Sequence, residues 1–183
     1  MRITASLVGA TVVTFTLAIG LAGCPRPNTE QAGPAFLALI VDSSASVAPL
    51  EPYILKYARF AMESYALRGP VHVALINLNE APTVEFEQEG TLYDEEVDAV
   101  ISHIKDINPD ARGTDIIAAM ELAIKYYTYQ QVKPSAFTVM CFTDGHIDPP
   151  PGGSVRQWED FDWTQFAQRG AKIGFYFVDV DPK

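Results

Sequence analysis

A chain of 183 residues has room for one domain of ordinary size with a core of its own. Its 13 Lys and Arg stand against 23 Asp and Glu, a formal net charge of −10, and so acidic a surface argues against a partner bound through a phosphate backbone. Two cysteines, Cys24 and Cys141, indicate neither a disulfide framework nor thiol chemistry; Cys141 lies in the apolar run 137–142 and reads as a small buried hydrophobe.

At the start of the chain, Met1-Arg2 precedes an uncharged, mostly apolar run over residues 3–23, the layout of a secretory signal. Small residues crowd its end, and Leu21-Ala22-Gly23-Cys24 resembles the lipobox of bacterial lipoproteins, which implies cleavage before Cys24 and lipidation of that residue. The run is also about long enough to span a bilayer, so an uncleaved anchor is the competing arrangement. Either way the domain is expected in the cell envelope, extracytoplasmic and held at a membrane. Residues 1–23 carry one Arg and no acid, which leaves 12 basic against 23 acidic residues, or −11, for the remainder. Residues 24–34 contain three prolines and no apolar periodicity and read as a tether, so the folded domain is expected over residues 35–183.

Six apolar residues, Phe36-Leu37-Ala38-Leu39-Ile40-Val41, predict a strand covered on both faces, as in a parallel sheet. The oxygen-rich turn Asp42-Ser43-Ser44-Ala45-Ser46 follows it. Val47, Leu50, Ile54, Ala58, Ala61, Met62 and Tyr65 then recur at helical spacing, with Pro49 in the first turn and Gly69-Pro70 as the stop. A second apolar strand runs over 71–76. Residues 83–87 alternate, as a half-exposed edge strand does, and the short link between the two allows only a hairpin, so this third strand is antiparallel. A helix over 93–107 returns the chain to the top of the sheet, a loop over 108–114 crosses there, and a helix over 115–130 descends to a fourth strand ending at Phe142. A short helix over 158–169 and an apolar strand over 173–179 complete the pattern. The expectation is a three-layer, doubly wound α/β domain, mostly parallel, with strand order 3-2-1-4-5; strands one and four then flank the point where strand order reverses.

This connectivity brings three separated oxygen-bearing pieces to one face: Asp42-x-Ser44-x-Ser46, Gly113-Thr114-Asp115 and Thr143-Asp144-Gly145. Carboxylates and hydroxyls suit a hard divalent cation. Taken singly each piece has a plainer use: Ser46 and Thr114 as helix caps, Thr143-Asp144-Gly145 as a turn. Jointly, Asp42, Ser44, Ser46, Thr114 and Asp144 resemble the metal-ion-dependent adhesion site of von Willebrand factor type A domains, over roughly residues 35–179. The resemblance implies a domain that binds Mg2+, with Mn2+ or Ca2+ as substitutes, and holds a protein ligand whose acidic side chain completes the coordination. On a lipidated chain that makes a membrane-tethered adhesion or assembly module.

Two features depart from the family. The Pro- and Gly-rich loop after Asp144, bearing His146 and Asp148, is expected to help select the partner. Type A domains usually continue past the fifth strand, so here the strand over 173–179 is an apolar edge for which pairing with another chain is expected. An enzyme is the competing class: a metal-dependent phosphoester hydrolase with His146 as base. The sequence lacks a second carboxylate two residues after Asp42, a Gly-rich phosphate loop and a Gly-x-Ser-x-Gly elbow, so a non-enzymatic role is expected. A metal-free scaffold is the third alternative. His72, His103 and His146 have no ligand spacing, and Tyr126, Tyr127 and Tyr129 are expected to pack.

Overall fold

The computed structural model describes residues 12–13, 33–109, 111, 113–131, 133–144 and 161–177. The strands are β1 (Val12–Val13), β2 (Ala35–Asp42), β3 (Val71–Leu78), β4 (Thr83–Gly90), β5 (Phe137–Thr143) and β6 (Lys172–Phe177); the helices are α1 (Glu51–Ala66), α2 (Asp94–Asp106), α3 (Ile116–Thr128) and α4 (Thr164–Gln168). They form one sheet in the order β1-β6-β5-β2-β3-β4. Apart from the two-residue β1, this is the expected 3-2-1-4-5 order, with β2 parallel to β3 and β5, β5 parallel to β6, and β4 antiparallel to β3.

Alternation along the central strands divides the core into two layers. Phe36, Ala38 and Ile40 of β2 join Ala74, Ile76, Val139 and Cys141 under α3 and α4, where Tyr127, Phe137 and Phe166 stack. Leu37, Leu39 and Val41 join Val73, Leu75 and Phe142 under α1 and α2. A strand buried on both faces needs an unbroken apolar run, and β2 and β5 supply it. Cys141 is fully buried, and burial pushes its thiol far above its usual range, so it is an inert core residue.

Several boundaries differ from expectation. The helix expected just past Ser46 starts at Glu51, after a 3-10 turn over Ala48–Leu50; Pro52 lacks the N–H that an α-helix begun at Val47 would need beyond its first turn. β4 alternates in exposure, yet its pairing passes over Glu85, so that Phe86 lies opposite Leu75 and Val84 opposite Ile76. That bulge sends Val84 and Phe86 to opposite core layers, where strict alternation would have put them on one face. His103 is half-buried and stacks on Phe86 at 4.0 Å between ring centroids. The edge strand expected over 173–179 is seen as Lys172–Phe177, and its outer side is taken by the chain itself: Val12 pairs with Tyr176 and Val13 with Phe175, antiparallel.

The rest of the leader expected over residues 1–23, Cys24 and most of the tether lie outside the described residues, as do His146 and Asp148. Among the described residues no helix is long and apolar enough to cross a membrane.

Candidate metal centre

β2 and β5 run side by side, with Val41 opposite Phe142, so Asp42 and Thr143 end the two strands together. The chain leaves β2 toward β3 and leaves β5 toward β6 on the other side, which makes the gap between them the reversal point of the sheet. Asp42 is 4% exposed. Its Oδ2 accepts a hydrogen bond from the Thr143 hydroxyl at 2.7 Å and its Oδ1 one from the Ser44 backbone N–H at 2.8 Å. Burial pushes the Asp42 carboxyl above its usual range; the Thr143 and Ser44 hydrogen bonds pull it down, and the nearby Asp144 charge raises it further.

The turn after Asp42 separates its serines by task. Ser43 is buried, and its hydroxyl donates to the Leu78 carbonyl at 3.1 Å, tying the turn to the end of β3. Ser44 and Ser46, two residues apart, bring their hydroxyl oxygens within 3.0 Å of each other on the accessible side. Ser46 caps no helix: Val47 precedes the 3-10 turn and Leu50 precedes α1, neither with a side-chain cap.

The third segment is stitched across the top of β2 and β3. The Ala111 N–H donates to the Ser43 carbonyl at 3.2 Å, and the Asp115 N–H donates to the Asn79 carbonyl at 3.0 Å. Asp115 is the N-cap of α3, its carboxylate accepting from the Ala118 N–H at 2.8 Å. The cap expected of Thr114 is therefore made by its neighbour, and buried Thr114 lies outside the helix's own hydrogen bonding. Thr143 is the residue the motif comparison left unassigned. Its signal was present: a hydroxyl in register with Asp42 at the end of a buried strand.

The donor set expected from the sequence is two carboxylates and three hydroxyls. Among the described residues no group of three or more His, Cys, Asp and Glu comes together. The residues fit a hard divalent ion on a specific ground: Asp42 is buried, and the charge of a second carboxylate, Asp144, acts on it.

Neither a protein-family model nor any curated protein matches the sequence. Solved structures do match. The conserved hypothetical protein BatB from Bacteroides thetaiotaomicron is 16% identical at a TM-score of 0.52, over 81% of this chain and 73% of that one. The likeness is one of fold. The pilus adhesin SpaC from Lactobacillus rhamnosus GG, in its open conformation, is 15% identical at 0.51 over 63% of this chain. The three N-terminal domains of the type V pili tip protein Mfa5 from Porphyromonas gingivalis are 13% identical at 0.50 over 62% of it. The chain spans only 15% of the SpaC chain and 20% of the Mfa5 chain.

Proposed function

We propose that this chain is a divalent-cation-dependent protein-binding module for adhesion or assembly, tethered in the cell envelope through lipidated Cys24, and that it is not an enzyme. The observation that carries it is the placing of buried Asp42 beside the Asp144 charge and the hydroxyls of Ser44 and Ser46. Two carboxylate charges brought close together at a buried position favour a cation held between them. Asp42, Ser44, Ser46, Thr114 and Asp144 would hold it, with Mg2+ preferred because oxygen and water ligands in a compact octahedron suit that ion, and Mn2+ or Ca2+ as substitutes.

When bound, the ion supplies Lewis acidity toward an external oxygen. The protein's own residues do the rest. Thr143 and the Ser44 N–H fix the carboxylate rotamer of Asp42, and the Ser43 hydroxyl anchors the turn to β3. Two carboxylates and three neutral hydroxyls would leave a six-coordinate ion an open position, which an acidic side chain of a protein partner would fill as the final ligand. The loop bearing His146 and Asp148 follows Asp144 directly in sequence and is the candidate for choosing among partners. The pilus proteins among the similar folds support an adhesion or assembly role in general terms.

The test is capture from the native envelope with the immobilised full chain. Partners retained in Mg2+ are expected to be released by chelator, by excess free carboxylate, and by Asp144→Ala. Capture that is the same in chelator as in Mg2+ would overturn the proposal.

A further inference from the structure

We propose that the outward face of α1 is a contact between two copies of this chain, packed antiparallel about a two-fold axis at Phe60. This goes beyond the metal-dependent binding proposed above and does not depend on it. Tyr53, Phe60 and Leu67 are 58%, 68% and 89% exposed, although all three are large and apolar. They recur every seven residues, two helical turns, and so form one line along the helix. Ile54, Ala58, Ala61 and Met62 are buried against the sheet on the other side, so this line points away from the domain's own core. Singly exposed apolar residues need no explanation, but three in register along one helix form a seam.

The occupant follows from the symmetry of the seam and from its charges. The seam extends seven residues to either side of Phe60. An antiparallel two-fold therefore sets Phe60 against itself and Tyr53 against Leu67 of the other copy, as a self-complementary contact requires. Lys56 and Glu63 lie seven residues apart on one flank, four before Phe60 and three after it, and both are exposed. That two-fold lays the flank on its own copy with direction reversed, so Lys56 meets Glu63 of the other copy twice. A parallel pair would put these flanks on opposite sides and lose both contacts. Among the described residues, Glu63 is engaged by Arg59 of its own helix, at 3.7 Å. A single helix pair is small beside the roughly 1,200–2,000 Å2 of a stable interface, so the dimer is weak and concentration-dependent.

Disulfide trapping in native membranes reads the geometry directly. Phe60→Cys is expected to form a covalent dimer at least tenfold more readily than Tyr53→Cys or Leu67→Cys alone, while Tyr53→Cys mixed with Leu67→Cys cross-links as a pair. Lys56→Glu should suppress the Phe60→Cys dimer, and adding Glu63→Lys should restore it. Equal trapping at all positions, or indifference to the charge reversal, would overturn the proposal. So would loss of maleimide labelling at all three positions in vesicles without any dimer, which would mean the seam lies on lipid.

Discussion

Asp42 sits at the end of an apolar strand with the Thr143 and Ser44 hydroxyls, one backbone N–H and one carboxylate for company, and its proton equilibrium follows from that setting. Burial raises its pKa above the 3.8 of the unfolded chain, so in the window above 3.8 the fold holds more protons than the unfolded state. Stability without metal therefore falls as pH rises through that window, and the penalty is fully present above the raised value. In chelator, Asp42→Asn is expected to match or exceed the wild-type melting temperature at neutral pH and to lose this slope; in Mg2+ the wild type gains stability and the variant does not. A variant that melts lower in chelator and gains equally from Mg2+ would mean that the carboxylate is structural. Thr143→Val removes a buried donor to the same carboxylate and should cost about 1.5–3 kcal/mol, read from denaturant midpoints. The motif residues were legible because they flank apolar runs. The task of Thr143 was not, since it depends on the register of β2 against β5, 101 residues away in sequence.

Elements announced themselves where one periodicity dominates. β2 and β5 are unbroken apolar runs, and α2 carries its apolar stripe between an acidic first turn and a basic last one, with the Glu96 carboxylate accepting from the Tyr93 N–H. What stayed hidden were single-residue irregularities: the bulge at Glu85 and the delayed start of α1 depend on cross-strand pairing and on which of two prolines opens the helix. The first helical residue of α3 was misplaced by one for the same reason, because Asp115 and Thr114 are both good caps. Asp115→Ala should therefore cost about 0.5–2 kcal/mol in unfolding free energy, while Thr114→Ala costs less and acts on metal affinity instead. Leu39→Ala, at the centre of the layer under α1 and α2, is expected to cost about 2–5 kcal/mol by the same measurement.

At the scale of the molecule, two alternating sets of side chains from one sheet make two cores, and the reversal of strand order between β2 and β5 leaves the gap in which the oxygens gather. The strand order was legible because a short hairpin link forces one antiparallel strand and every later element inherits its direction. The partner of the outer edge was not: sequence suggested another chain, whereas Val12–Val13 of the same chain pairs there. The residues that pair lie within the proposed leader, so cleavage before Cys24 would remove them. Hydrogen exchange is then expected to be faster in β6 of the cleaved chain than of the full chain, with β2 and β5 unchanged.

The proposed centre is one ion held by donors from three segments. Calorimetric titration of Mg2+ into the full chain, repeated with Ser44→Ala, Thr114→Ala and Asp144→Ala, examines this most directly. One site is predicted, with each substitution weakening it at least tenfold, about 1.4 kcal/mol, and leaving the fold intact by circular dichroism. No binding heat in the wild type, or isotherms that all three variants leave unchanged, would contradict it.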